Sequence, residues 1–237
     1  MALAEQKRQL IERWRREGID PTLLRAFQAV PREEFLPSEL RDRAYDDQPL
    51  PIGHEQTISQ PTTILIMLSL LDLVPPRSKG NPPGSAGRVS PKVKVLEIGA
   101  GSGYVCALLA ELGLQVTGIE LIPELAVRAA KTLTKLGYDK AVSMHAADGS
   151  GGWEEGAPYD RILLSAGAPD VPQHLFWQLK EGGVLVAPVG RVEQRMLVCR
   201  KKKGEIIEED HGAFLFVPLK GKYGVEGEGD IPTLPFV

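Results

Sequence analysis

Leu3, Leu10, Ile11 and Trp14 recur at helical spacing with lysines and arginines between them, which predicts a first helix that buries one face. Gly18 stops it. Asp20-Pro21 then reads as an N-cap followed by proline at the first helical position, so a second helix is expected over 22–30. Pro31 and Pro37 bracket a short connection that carries Phe35. Residues 45–61 are polar and turn-rich and read as an exposed loop or short hairpin, while 62–74 is a strongly apolar stretch expected to be a buried helix. Beyond residue 93 the pattern changes. Strand-like runs at 94–98, 116–120, 141–145, 161–165 and 183–188 alternate with helical stretches at 105–112, 124–136 and 172–179, with a loop over 148–158. A hairpin of 196–201 and 205–209 turns at Lys203-Gly204, and 214–219 follows it. This alternation predicts a doubly wound α/β fold. A mostly parallel, Rossmann-like sheet would be covered on both faces, with helices ahead of it and an antiparallel extension at its C-terminal end.

The same reading divides the chain into four parts: an N-terminal helical segment with a polar loop, packed on the core, over 1–74; a Pro/Gly-rich flexible spacer over 75–92; the α/β core with its C-terminal strands over 93–221; and an acidic, glycine-rich loose tail over 222–237. No internal repeat is visible. Composition narrows the function classes. With 43% hydrophobic and 25% charged residues, the chain is of ordinary globular type, which excludes disordered, collagenous and low-complexity classes. Lys and Arg number 28 against 31 Asp and Glu, a net charge of -3, so no general electrostatic grip on nucleic acid or an anionic membrane is expected. The two cysteines, Cys106 and Cys199, lack CxxC spacing and suggest neither a disulfide framework nor a metal site. The N-terminus has no apolar signal core, and the longest apolar run, 64–74, is interrupted by Ser69 and Asp72 and too short to span a bilayer. A cytoplasmic monomer is the resulting expectation.

The sharpest chemical signal is Glu97-Ile98-Gly99-Ala100-Gly101-Ser102-Gly103-Tyr104, where the first core strand meets its helix. Glycines there let the backbone turn tightly beside a ligand, and the helix start offers free N–H groups. A dinucleotide fingerprint would place its third glycine where Tyr104 stands, which disfavours a nicotinamide dehydrogenase. The E-x-GxGxG spacing instead resembles motif I of S-adenosylmethionine-dependent methyltransferases. Glu120 ends the next strand, where a carboxylate can accept hydrogen bonds from both hydroxyls of a ribose, and Leu121 follows it. Asp148-Gly149 closes the third strand, and ligands of open α/β sheets bind beyond these strand ends.

Ahead of the core, Pro51-Ile52-Gly53-His54-Glu55-Gln56-Thr57-Ile58-Ser59-Gln60-Pro61 resembles the signature of the protein-L-isoaspartate O-methyltransferases. The resemblance runs on through Val30-Pro31-Arg32-Glu33-Glu34-Phe35, LEIGAGSGY, Ala157-Pro158-Tyr159-Asp160-Arg161-Ile162, Leu179-Lys180-Glu181-Gly182-Gly183 and Phe216-Val217-Pro218-Leu219. It covers most of the chain in order, apart from 75–92 and the last dozen residues. It implies methyl transfer from S-adenosylmethionine to the free α-carboxylate of L-isoaspartyl residues in damaged proteins and peptides, with S-adenosylhomocysteine as product. The ester then closes to a succinimide that reopens partly to aspartate. The family's active-site serine falls on Ser59. Its cofactor contacts fall on Gln56, Thr57, Ile58 and Ser59, on Glu97, Gly99, Ala100, Gly101, Ser102 and Gly103, on Glu120 and Leu121, and on Asp148 and Gly149. Val217, Pro218 and Leu219 match the segment that lies along the substrate, and His54 is a further substrate candidate.

The chain departs from the family pattern at three places: Ala147 where glycine often precedes Asp148, Lys220 where a hydroxyl residue often follows Val-Pro-Leu, and Thr62-Thr63 where larger residues are expected just after Ser-Gln-Pro, which alters the pocket wall. The rival readings are a methyltransferase for RNA or a small molecule, and a non-catalytic module that binds S-adenosylmethionine or a peptide. Net acidity, the absence of an NPPF-like motif and the lack of a Pro-Cys nucleophile stand against RNA.

Overall fold

In the computed structural model, which describes residues 2–73 and 93–225, the amphipathic opening folds as α1 (Leu3–Arg16). Leu10, Ile11 and Trp14 are buried, while Arg8, Arg15 and Arg16 stay in water. α2 (Pro21–Ala29) carries the anticipated cap, the Asp20 carboxylate accepting the Thr22 N–H at 2.7 Å. Trp14 of α1 meets Phe27 of α2 edge-on, with 4.8 Å between ring centroids. Two short 3-10 turns that the sequence did not reveal, Arg32–Phe35 and Ser38–Arg43, lead to a hairpin of β1 (Leu50–Gly53) and β2 (Gln56–Ile58). α3 (Pro61–Leu70) is shorter than the expected 62–74. Asp72, at φ 50, turns the chain out of the helix, and Val74 lies outside the described residues.

The alternating part follows as β3 (Lys94–Ile98), α4 (Tyr104–Glu111), β4 (Gln115–Glu120), α5 (Pro123–Lys135), β5 (Val142–Ala146), β6 (Tyr159–Leu164), α6 (Gln173–Gln178) and β7 (Leu179–Val189). β8 (Gln194–Lys202) and β9 (Glu205–Phe214) form the closing hairpin. Together they make one seven-stranded sheet in the order β5-β4-β3-β6-β7-β8-β9. The pairings from β5 to β7 are parallel, and β8 and β9 are antiparallel. The expected doubly wound sheet with an antiparallel extension is therefore what the chain builds. β7 begins four residues earlier than expected because Gly182, at φ +75, lets the strand bulge, so that Leu179 pairs with Tyr159 but Val184 with Arg161. The 214–219 run is not a full strand. β9 ends at Phe214, and a single parallel bridge joins Pro218 to Gly167.

Alternation along the strands splits the core into two. Val95, Val116 and Leu163 face a cluster shared with α1 to α5, whereas Leu96, Ile98, Ile162 and Leu164 face one shared with α6. The N-terminal helices thus bury their apolar faces in the same core as one side of the sheet. The 75–92 spacer lies outside the described residues. Residues 222–225 do not form a loose end: Lys222 N–H donates to Asp148 at 2.8 Å, Tyr223 N–H to the Ser150 hydroxyl at 3.0 Å, and Val225 N–H to the Leu219 carbonyl at 2.8 Å. Among the described residues, no helix is long and apolar enough to cross a membrane.

Candidate functional site

Strand order reverses at β3, which lies between its successor β4 and the later β6, and a crevice opens beyond the carboxyl ends of strands at such a point. A cleft of about 570 Å³ stands there. Its floor is made by residues that follow four successive parallel strands, Gly99 after β3, Leu121 after β4, Gly149 after β5 and Ser165 after β6.

The glycine turn shapes one wall. The N–H groups of Gly99 and Ala100 both donate to the Ile119 carbonyl, at 2.9 and 3.1 Å, which pins the turn to β4. Gly101 and Gly103 hold φ of +52 and +82, a region that favours glycine, and a Cβ on Gly103 would lie 3.0 Å from that of Ala129 on α5. With the chain so bent, the Gly101 N–H donates to Glu120 at 2.8 Å, and the other Glu120 oxygen accepts from Ile122 N–H at 2.9 Å. A carboxylate offers about four acceptor directions, so Glu120 keeps capacity for two more donors in the cleft it lines.

Not every anticipated residue reaches the cleft. Glu97 is buried beneath the turn, its oxygens accepting from the Cys106 thiol at 2.8 Å and the Ser165 hydroxyl at 2.9 Å. Burial pushes its carboxyl up to about 7 against the pull of those two donors, and the charge of Glu120 adds to the rise. Ala100, Ser102, Gly103 and Ile58 build the turn and the hairpin without lining the space. Asp148 is also absent from the lining. One of its oxygens accepts from Ser150 N–H and the other from Lys222 N–H, so its carboxylate ties down the C-terminal turn. His54 sits at the exposed hairpin tip, where it and Glu55 have φ of 54 and 59, and it faces neither cavity described here.

The hairpin roofs the cleft. Ile52 packs on the Gly101 backbone and offers its carbonyl to Arg128 of α5. Gln56 and Thr57 line the cleft from that side, and Val217, Pro218 and Leu219 from the other. The segment carrying these three is fixed at two points. The buried Gln194 amide accepts from Phe216 N–H at 2.7 Å and donates to its carbonyl at 3.1 Å, while Gly167 N–H bonds the Val217 carbonyl at 2.8 Å.

Thr57 and Val217 also line a second cavity of about 400 Å³, together with Ser59, Gln60, Thr63 and Phe216. The two spaces therefore share a wall, with the cleft at the strand ends on one side and Ser59 on the other. Ser165, Ala166, Lys220 and Gln60 were not among the anticipated site residues. Ser165 could have been found from its place directly after a parallel strand, whereas Gln60 carries no signal without the hairpin in space.

A family model described as protein-L-isoaspartate(D-aspartate) O-methyltransferase matches residues 5–224. A protein-L-isoaspartate O-methyltransferase of Methanocella arvoryzae is 49% identical over 201 residues, covering 84% of this chain and 98% of that one. One of Dictyoglomus turgidum is 46% identical and covers 92% of each chain. Among solved structures, a protein-L-isoaspartate O-methyltransferase superposes with a TM-score of 0.77 at 26% identity, over 92% of this chain and 67% of that one. A Plasmodium falciparum structure described as the same enzyme, in complex with S-adenosyl-L-homocysteine, shares the fold at a TM-score of 0.72 and 23% identity, over 90% of this chain and 97% of that one.

Proposed function

The chain belongs to the protein-L-isoaspartate(D-aspartate) O-methyltransferase family, and on that premise we propose how its two cavities divide the work. The protein is an S-adenosylmethionine-dependent repair methyltransferase that esterifies the free α-carboxylate of L-isoaspartyl residues, from which a succinimide and then some normal aspartate follow. The 570 Å³ cleft takes S-adenosylmethionine, and the 400 Å³ cavity takes the acceptor carboxylate. The observation that carries this division is the shared wall of Thr57 and Val217, across which the two reactants would lie side by side.

The residues present fit the cofactor. Glu120 keeps two free acceptor directions for ribose hydroxyls, and the left-handed glycines let the backbone come close without side chains. Gly149, whose added Cβ would meet Ile119 at 2.9 Å, keeps the floor flat where a base ring would lie. When bound, the sulfonium supplies an electrophilic methyl group. The protein has little proton chemistry to perform, because an α-carboxylate with a reference pKa of about 3.5 is already ionised at neutral pH. What it supplies is alignment in a water-poor space, worth about 7–11 kcal/mol in well-oriented reactions. Ser59 would donate its hydroxyl to one carboxylate oxygen and leave the other free to attack. Val217 to Leu219 would hold the acceptor chain. We further take the chain to act as a cytoplasmic monomer without nucleic acid, a reading supported by both cavities lying within one chain, by two free, buried cysteines, and by a net charge of -3 that offers nucleic acid no general grip.

Labelled S-adenosylmethionine offered with two matched peptides, one isoaspartyl and one aspartyl, tests the activity. Label is expected in the isoaspartyl peptide alone, and equal inactivity on both with the cofactor still bound would return the reading to a small-molecule or RNA acceptor. In the same assay Ser59→Ala should lower turnover by about 10-fold, the loss of one hydrogen bond to a charged group, with cofactor affinity unchanged. A loss of cofactor affinity alone would move Ser59 out of the acceptor site.

A further inference from the structure

Arg32 is fully buried, yet among the described residues no carboxylate pairs with it. Its near acids are committed elsewhere: Glu33 accepts from the Tyr45 hydroxyl at 2.6 Å, and Asp47 binds Arg13 and Thr62. A buried charge without a counterion is costly, and an apolar side chain of similar volume would fill the space at lower cost. The guanidinium instead spends its donors on backbone. Nε donates to the Ala44 carbonyl at 2.8 Å and Nη2 to the Ser59 carbonyl at 2.9 Å. Nη1 has no partner, and the Tyr104 ring lies 5.2 Å from Cζ. These contacts join three separate pieces of the site: the end of the second 3-10 turn, the acceptor loop, and the first residue of α4 directly after the glycine turn.

The peptide between Ser59 and Gln60 is trans, so its C=O and N–H point in opposite directions. With the carbonyl bound to Arg32, the Gln60 N–H points away from the guanidinium, and both residues of this peptide line the smaller cavity. The bond also polarises that peptide, which strengthens its N–H as a donor. We propose that Arg32 is a positioning residue for methyl transfer, which sets the Ser59–Gln60 peptide from behind and holds it in register with the glycine turn. This rests on the reading of the smaller cavity as the acceptor site. Arg32 touches no substrate. It acts through the peptide, and its charge lowers the potential energy of an incoming carboxylate at a distance.

The test compares Arg32→Met and Arg32→Lys in the full chain, reading kcat and KM for an isoaspartyl peptide, the Kd of S-adenosylmethionine, and Tm. Arg32→Met is expected to lower kcat/KM for the peptide by about 10–100-fold, with cofactor affinity within about 3-fold of the parent. Arg32→Lys, which keeps the charge but reaches only one of the two carbonyls, should recover part of that loss. A folded Arg32→Met with parental kcat/KM overturns the inference, as does a parallel fall of peptide activity and cofactor affinity, which marks a general structural role. Should Arg32→Met not fold, the same criteria apply to Arg32→Lys, whose parental kcat/KM would count against the inference. Thr63→Leu, which narrows the smaller cavity directly, separates the two levels of the argument. If it leaves the peptide KM unchanged, the acceptor-site reading fails; if it raises KM while the Arg32 variants do nothing, only the role of Arg32 falls.

Discussion

Glu120→Ala is expected to weaken S-adenosylmethionine binding by about 10²–10⁴-fold, the loss of two hydrogen bonds to a charged acceptor at about 1.5–3 kcal/mol each. The carboxylate has a second duty that adds to the damage. It accepts from the Gly101 and Ile122 N–H groups, so its removal frees the glycine turn from the end of β4. Glu120→Gln is no mild control, since its amide would turn an N–H toward one of those two backbone donors. Calorimetric titration of the folded variant reads the effect directly. An affinity within about 3-fold of the parent would take Glu120 out of the cofactor site, because lost charge-assisted bonds of this kind are not silent.

Glu97→Gln should move stability in the opposite direction, and by an amount that depends on pH. The native carboxyl is raised from 4.5 to about 7, chiefly by burial. Below pH 4.5 the folded and unfolded chains both carry the proton. Between 4.5 and 7 the unfolded chain has released it while the native chain retains it, so rising pH favours unfolding, and above 7 the full penalty stands. A shift of this size corresponds to about 3 kcal/mol. Glutamine keeps an oxygen for Cys106 and can turn its amide to the Ser165 hydroxyl, so the variant is expected to gain roughly 1–3 kcal/mol at pH 8 and little at pH 5. Denaturant unfolding at the two pH values measures it, and an equal gain at both would exclude the buried acid as its source. The same variant decides whether Glu97 contacts the cofactor as motif I resemblance implies. Its occupied oxygens and its absence from the cleft lining lead us to expect parental affinity.

The core of this arrangement was legible because it depends on local rules. β3 was placed to the residue, and the cap of α2 and the Lys203-Gly204 hairpin, with φ of 54 and 79, follow from proline, aspartate and glycine chemistry that acts within a few residues. The strand-end residues Gly99, Glu120 and Gly149 were found for the same reason. What escaped were residues whose work depends on distant partners. Arg32 meets Ser59 across 27 positions of sequence, and Asp148 meets Lys222 across 74. Asp148 was read as a cofactor contact from its place after β5, yet it is absent from the cleft lining and ties the Ser150 and Lys222 N–H groups together instead. A strand-end position says which edge a side chain occupies, not which partner claims it.

The wall that Thr57 and Val217 lend to both cavities has an evolutionary consequence. On the proposed division of the cavities, a substitution at either position would alter cofactor and acceptor together, so drift there would be pleiotropic and selection on one property would drag the other with it. Ser59, Gln60 and Thr63 border the smaller cavity alone. On the same division, divergence in acceptor preference would run through the residues that border the smaller cavity alone, Pro49, Leu215 and Phe216 included. Thr63 is among them, whereas the Thr62 hydroxyl is held by Asp47, Arg13 and Trp14 outside both linings.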